Sequence, residues 1–487
     1  MTGVVAIVGA TVLDALVRPR PDLRTASLRG FAGLWILTCM TGALFGLFLA
    51  ICGNTGVALA LVLAMQALLS VASNAKHAML GEPLLFCDLE LIGAIFRHPQ
   101  FYLSAVAIWQ RVVAAIAAAV LLGVLIWLSN LDPATHLAGL AIMMAGLSAL
   151  VLSLLGGRAS RLSPRPDVVA DVRRHGLYPT LLLYWLRWLE SRDPPPAASL
   201  DAISSGDDEA LELLVVIQCE SFADPVVLFE QAVPGADFAL PGLAAARAAA
   251  CQWGDLHVSG FGAYTMRTEY GVLFGRGEDA LGFRRYNPFL TALGEASYAL
   301  PARLGPRWRS LFVHPHDMRF YGRDRIMPAG GFAELVGEDR FAPPAPGEGR
   351  YVTDAAIADE VVALASAAQQ PSLIYAVTIE NHGPWASDGI PGGDELVAGY
   401  LQLVKKGDAM LSGLIRRLGD LRRPALLVFF GDHRPSIPGA SMPGGDRHTP
   451  YAMIRFDSVG RIVTDGNRRV DLTPAALHHA ILGTVTG

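Results

Sequence analysis

Four apolar runs beyond residue 210 each end in acidic or histidine residues, and no other feature restricts the fold so sharply. They are LELLVVIQCES (Leu211 to Ser221), RSLFVHPHD (Arg309 to Asp317), PSLIYAVTIENHGPW (Pro371 to Trp385) and PALLVFFGDHRP (Pro424 to Pro435). A continuous apolar run of strand length, bounded by turn residues, fits a strand covered by helices on both faces, which is the condition of a parallel sheet. Open sheets of that kind hold their ligand beyond the carboxyl ends of the strands. Those ends carry Glu220, then His314 and His316, then His382, then Asp432 and His433. Carboxylates and imidazoles collected from separate strands make a cation shell first and an acid–base set second.

The first third of the chain has a different character. Overall, 52% of residues are hydrophobic, 17% are charged and mean hydropathy is +0.38; most of the apolar excess lies before residue 160. Crossing roughly 30 Å of hydrocarbon takes about 18 or more apolar residues in a helix. Met1 to Val17, Gly30 to Cys52, Val57 to Ala72, Leu103 to Leu128 and Leu137 to Leu155 are read as five spans, the first being the shortest. Between the third and fourth, Ser73 to Ile92 mixes Lys76, Glu82 and Asp88 with apolar residues, and reads either as a solvated interfacial turn or as a lipid head-group contact. A basic stem (Arg158 to Arg174) leads into LYPTLLLYWLRWLES (Leu177 to Ser191), read as an amphipathic helix lying on the bilayer. Pro194 to Ala198 and SSGDDE (Ser204 to Glu209) read as linker. The expected organisation is a five-span α-helical transmembrane bundle over 1–157, a juxtamembrane helix and linker over 158–210, and an α/β domain with a mostly parallel central sheet over 211–487.

A net charge of -5 with no basic stripe gives no sign of a nucleic-acid partner. Five cysteines without a CxxC spacing supply neither a zinc knuckle nor a disulfide framework. The cation ligands are therefore sought among Glu220, Asp432 and His433, since two carboxylates and an imidazole suit a hard or borderline divalent ion. The GDH around Asp432 also reads as a loop with a capping aspartate. VSGFGAYTMRTEYGVLFG (Val258 to Gly275) places Thr265 where a glycine-rich loop opens a helix. There it is either a cation-activated nucleophile or a plain N-cap with Glu269 on the surface. In FVHPHDMRFYGRDR, His314, Tyr321 and Arg323 offer an imidazole, an aromatic wall and a guanidinium for phosphate, with His316, Arg319 and Arg325 competing for those roles. His382 is placed to protonate a leaving oxygen or hold a phosphate, and His448 reads as structural.

Taken in order, CES, TMRTEY, YGR, NHGPW and GDH resemble the membrane-anchored phosphoglycerol transferases of the lipoteichoic-acid synthase and periplasmic-glucan type, within the alkaline phosphatase and sulfatase superfamily. The apolar half with its Asn-Ala-Lys…Glu-Pro-Leu…Asp-Leu loop is similar too. The resemblance implies a sulfatase-like catalytic domain outside the cytoplasm. Glu220, Thr265, Asp432 and His433 would bind one divalent cation, manganese foremost with magnesium or zinc as alternatives. Thr265 would be the nucleophile, and His314, Tyr321, Arg323 and His382 would hold the phosphoglycerol head group, with His382 also catalytic. Tyr321 stands where lipoteichoic-acid synthases usually have Trp. No C-x-P-S-R run is present, which argues against a formylglycine sulfatase.

The implied reaction moves sn-glycerol-1-phosphate from phosphatidylglycerol through a phosphothreonine-type intermediate to a cell-envelope glycan acceptor. The alternatives are phosphoethanolamine transfer, phosphodiester hydrolysis, or glycan binding without catalysis. Thirty-six Arg against 3 Lys fits GC-rich coding DNA and points to a Gram-negative inner membrane with a periplasmic acceptor. Arginines at 18, 20, 24 and 29 and after the last span run against that orientation under the positive-inside rule.

Overall fold

The computed structural model describes residues 1–20, 29–89, 108–199, 210–229, 237–345, 349–383, 385, 393–464 and 466–486, so SSGDDE and Leu103 to Ala107 lie outside the described residues. The chain forms two compact units, Met1–Ser191 and Arg192–Gly487.

In the first unit, Phe31–Cys52, Thr55–Leu80, Trp109–Leu128 and Pro133–Leu154 are, among the described residues, the helices long and apolar enough to cross a membrane. The first expected span, Met1 to Val17, is not among them. Thr2–Ala15 has 14 residues, and at about 1.5 Å per residue it reaches about 21 Å, short of a bilayer core. Buried Asp14 near its end pairs with Arg29. The Arg29 guanidinium donates to Asp14 Oδ2 (3.2 Å) and to the carbonyls of Asp14, Val17, Pro19, Val172 and Arg173 (2.7–3.2 Å). Asp14 Oδ1 accepts from Leu177 N (2.8 Å). Two helices meet backbone to backbone where side chains vanish: a Cβ on Gly46 would lie 2.3 Å from Met143 N, and one on Gly139 2.3 Å from Ala50 N.

The stretch expected to lie on the bilayer turns one face into this unit and leaves Trp185 and Leu189 exposed. Leu177–Leu189 buries Leu177, Tyr178, Leu181, Leu183 and Tyr184. Its hydroxyls find partners there: Tyr178 Oη is 3.1 Å from Ser70 Oγ, and Tyr184 Oη donates to Asp171 Oδ2 (2.8 Å). An aromatic and leucine face suits protein as well as lipid, and the buried Asp14–Arg29 knot draws this segment inward. The division between the two compact units falls after Ser191.

The second unit is built on one mixed sheet. Its described strands are β1 (Leu213–Cys219), β2 (Gln252–Leu256), β3 (Arg309–Val313), β4 (Glu334–Val336), β5 (Ser372–Val377), β6 (Ala425–Gly431), β7 (Thr449–Phe456), β8 (Ile462–Val463) and β9 (Arg468–Arg469). They run in the order β4-β3-β5-β1-β6-β7-β2-β9, with β8 beside β7. The first five in that order are mutually parallel, whereas β7 is antiparallel to β6 and to β2. Every residue of β1, β5 and β6 is buried, as the unbroken apolar runs require. One core cluster joins β1, β5 and β6 with the helices Pro241–Ala249, Asp354–Ala367 and Gly393–Asp420. The end of β6 tolerates no side chain, because a Cβ on Gly431 would sit 1.8 Å from Phe222 O.

Two glycine substitutions report on this packing in opposite directions. Gly431→Ala is expected to lower the melting temperature through a backbone shift costing about 1–3 kcal/mol. Gly413→Ala, inside a helix and with nothing within 4 Å of the added Cβ, is expected to raise stability by about 0.5–1 kcal/mol. Thermal unfolding of both variants measures the two signs.

Candidate active site

Sheet register brings the acids together. Cys219 of β1 pairs with Gly431 of β6, so the next residue of each strand, Glu220 and Asp432, leaves the sheet beside the other. The backbone turns at once: Ser221 sits at φ 51, a left-handed conformation that is strained for a residue with a side chain. Neighbouring groups hold it there, with Ser221 N donating to Asp432 Oδ1 (2.8 Å), Ser221 Oγ to Glu220 Oε1 (2.9 Å) and Tyr400 Oη to Ser221 O (2.9 Å). Glu220 N donates to Thr378 Oγ1 at the end of β5 (3.0 Å).

His433 completes the group. Its Nδ1 lies 3.1 Å from Arg434 O, so that nitrogen carries the proton and Nε2 presents its lone pair. Nε2 is 3.5 Å from Glu220 Oε1 and 3.6 Å from Asp432 Oδ2. Ligand atoms of Glu220, Asp432 and His433 all lie within 4.8 Å of one another, and all three residues are buried.

Thr265 arrives from another direction. The loop before it turns on Gly262 (φ 64), whose N–H donates to Arg434 O (2.8 Å), and on Tyr264 (φ 76). The helix Thr265–Phe274 then starts with Thr265 as its first residue and Tyr264 in the capping position, which removes the reading of Thr265 as N-cap. Met266 to Phe274 are all buried, and Thr265 alone in the helix is partly exposed. Thr268 Oγ1 donates to Asp432 O (2.7 Å), pinning the helix to the end of β6. Thr265 Oγ1 reaches within 3.4 Å of His433 Nε2.

The electrostatics suit a cation. Asp432 Oδ2 is buried without a hydrogen-bond partner. Burial first, and the Glu220 charge second, hold the Asp432 carboxyl up to about 6. His433 is raised because Asp432 and Glu220 outweigh its burial. Two carboxylates, an imidazole lone pair and a hydroxyl facing one point are the donor set of a divalent ion, and Glu220, Thr265, Asp432 and His433 would hold it.

Arg323 and Tyr321, expected to hold a phosphate group, lie around another buried acid, Glu269. Glu269 is not a surface residue; it is fully buried. Arg323 Nε and Nη2 donate to Glu269 Oε1 (3.0 Å) and Oε2 (2.6 Å), so two of the three guanidinium nitrogens are committed to the protein. Gln218 Nε2 donates to Glu269 Oε2 (3.3 Å), and Tyr375 Oη to Gln218 Oε1 (2.9 Å). The sequence signal for Gln218 was a lone amide inside a strand buried on both faces. Tyr321, at φ 59, lays its ring 5.1 Å from the Arg323 guanidinium and stacks on Phe289. His314 is buried with Nδ1 3.0 Å from Val377 O. Burial and then Arg323 push it well below the usual imidazole range, so it is neutral.

The remaining histidines separate. His382 is exposed on the loop after β5, with Nδ1 2.8 Å from Gly383 O and its ring against Tyr351 (5.7 Å); no described contact joins it to Thr265. His316 lies 6.0 Å from His314, ring to ring, and is lowered mainly by burial. His448 packs against Arg434 and Asp446. Arg319 pairs with Asp317 on the surface.

The sulfatase family model matches residues 212–481. The capsular polysaccharide biosynthesis protein RkpI of Rhizobium meliloti is 29% identical over 403 residues, covering 78% of this chain and 74% of that protein. Among solved structures, the integral membrane lipooligosaccharide phosphoethanolamine transferase A of Neisseria meningitidis is similar in fold, at TM-score 0.52 and 13% identity over 100% of this chain and 94% of its own. The Streptococcus pyogenes phosphoglycerol transferase GacH, in complex with sn-glycerol-1-phosphate, matches at TM-score 0.46 and 14% identity, covering 62% of this chain and 80% of its own.

Protons compete with a cation for Asp432. Calorimetric titration with Mn²⁺ is expected to show affinity falling with pH first as His433, raised above the ordinary imidazole value by Asp432 and Glu220, takes up its proton, and more steeply below the Asp432 value of about 6; a flat profile down to pH 5 would contradict this. Glu269→Ala strands a buried guanidinium, and denaturant unfolding is expected to show a loss of about 3–5 kcal/mol.

Proposed function

The chain belongs to the sulfatase family of the alkaline phosphatase superfamily, and we propose that it is a metal-dependent phosphoglycerol transferase. In this reading it moves sn-glycerol-1-phosphate from phosphatidylglycerol to a cell-envelope glycan. The observation that carries it is the convergence of the partly exposed Thr265 hydroxyl on Glu220, Asp432 and His433, with Thr265 Oγ1 3.4 Å from His433 Nε2. A hydroxyl at a helix start, beside a cation site and an arginine, is arranged for phosphoryl transfer. The bound cation, manganese in this proposal, would lower the hydroxyl pKa and offset charge on the phosphoryl oxygens.

Each remaining step falls to the chain's own residues. Thr265 loses its proton to water, its Oγ bonds to phosphorus, and the phosphorus bond to the diacylglycerol oxygen breaks. That oxygen leaves with a proton supplied by His382 or by water at the exposed loop. Arg323, clamped by Glu269, directs Nη1 at the phosphate, and Tyr321 and neutral His314 flank the glycerol. The helix N-terminus favours the negative charge of the phosphorylated Thr265. A glycan hydroxyl then takes the group and releases Thr265; water in its place would make the reaction hydrolytic. Donor and acceptor of this kind lie outside the cytoplasm, and we assign the catalytic unit to that side. Phosphoethanolamine transfer is the second reading, favoured by the full-length likeness in fold to the Neisseria meningitidis protein.

The test is diacylglycerol release by full-length protein with Mn²⁺, with phosphatidylglycerol and phosphatidylethanolamine supplied separately. Release from phosphatidylglycerol is expected, and Thr265→Ala is expected to reduce it by about a thousandfold or more. Release from phosphatidylethanolamine alone would replace the donor; release from neither would remove the transferase reading.

A further inference from the structure

The segment Pro288–Tyr298 is a 3₁₀ helix of 11 residues, far longer than the three or four residues at which such helices usually stop. With three residues per turn, side chains three apart stack in rows, so this helix has three faces. The row of Phe289, Ala292 and Glu295 is buried. Phe289 stacks on Tyr321 of the head-group pocket (ring centroids 6.1 Å), and Glu295 Oε2 accepts from Tyr270 Oη (3.0 Å) and Arg276 Nε (2.9 Å). The row of Thr291, Gly294 and Ser297 faces residues 193–197, which follow directly after the apolar unit in the chain. A Cβ on Gly294 would lie 2.3 Å from Asp193 Oδ2, and Ala197 N donates to Ser297 Oγ (3.0 Å). Asp193 also pairs with Arg284 (2.7 Å), and Tyr298 Oη donates to Pro195 O (2.9 Å).

The third row is Leu290, Leu293 and Ala296. It turns outward, with Leu290 37% and Leu293 54% exposed. A single exposed leucine needs no explanation. This row is different, because the other faces of the same helix hold the wall of the phosphate pocket and the segment arriving from the apolar helices. Two leucines and an alanine offer far less than the roughly 800 Å² per partner that a stable protein interface buries, which leaves a lipid tail as the fitting occupant.

We propose that the Leu290, Leu293 and Ala296 row is a lipid-contact edge, which meets the acyl chains of the donor phospholipid while Phe289, on the next face, holds the Tyr321 ring beside the head group. Its catalytic consequence rests on the lipid-donor reading above; the contact itself does not. The helix thus couples recognition of the lipid tail to placement of the aromatic wall against which the head group lies.

Two experiments on the full-length protein test it separately. In a Cys251→Ser background the other four cysteines are buried, so Leu293→Cys can carry an environment-sensitive fluorophore. In phosphatidylglycerol vesicles its emission is expected to move to the blue and to be quenched by nitroxides on the lipid tails. A label that stays in water, or one that self-quenches between protein copies, overturns the proposal whatever the donor is. In the second experiment, the Leu290→Ser, Leu293→Ser double variant is expected to raise KM for long-chain vesicular phosphatidylglycerol about tenfold, with turnover of a soluble dihexanoyl donor unchanged. Equal losses on both donors would also overturn it. If the label lies among the tails but phosphatidylglycerol is not turned over, the contact stands and the donor reading falls.

Discussion

Two carboxylates held side by side at the dry end of a sheet repel each other, and the architecture of the catalytic unit can be understood from how that repulsion is managed. Parallel pairing of β1 with β6 fixes Glu220 next to Asp432 with no freedom to separate. Nearby N–H groups and hydroxyls satisfy some of their oxygens, but Asp432 Oδ2 is left with no partner. Buried unsatisfied charge is costly, and proteins usually avoid it except where a ligand supplies the missing interaction. The strained turn at Ser221, the pinning of Thr265–Phe274 through Thr268 and the orientation of His433 by Arg434 O all direct atoms toward the same point. The sheet thus stores an electrostatic demand that a divalent ion, and then a phosphate bound to it, would meet.

A second ionic element works by the opposite logic. Glu269 and Arg323 lie buried as a matched pair, with Gln218 and Tyr375 extending the hydrogen-bond chain beneath them. A guanidinium held at two nitrogens loses little further freedom on meeting a ligand with the third. Rigidity here comes from the protein before any substrate arrives. The Tyr321 and Phe312 rings, 5.1 and 5.9 Å from the guanidinium, restrict it on its faces as well.

The strands that build the site were legible because burial on both faces leaves an unbroken apolar run, and their acidic or histidine ends were legible because such residues interrupt it. Edge strands were not: β4, β8 and β9 span two or three residues, too few for any period to register. The burial of Glu269 was not legible because Thr268 and Glu269 look polar in a first helical turn, while the partners that bury them, Asp432 and Arg323, lie more than 50 residues away in sequence. The short first helix was missed, and the inward face of Leu177–Leu189 was not legible, for a related reason. Apolarity states that a helix will be covered without stating by what, and only the distant Asp14–Arg29 pair decides between protein and lipid.

That same pair sets a timetable. Arg29 lies 143 residues before Val172, one of the carbonyls it needs. At the roughly 5–20 residues per second of translation, the interval between the two is on the order of ten seconds. Throughout it the growing chain already holds its apolar hairpins and the Arg29 acceptors at Asp14, Val17 and Pro19, but not those at Val172 and Arg173. The Arg29 knot can therefore begin beside the first helix but is completed only from the far end of the unit. The N-terminal unit closes from its end, when the last residues before the catalytic unit emerge and fasten themselves to its beginning.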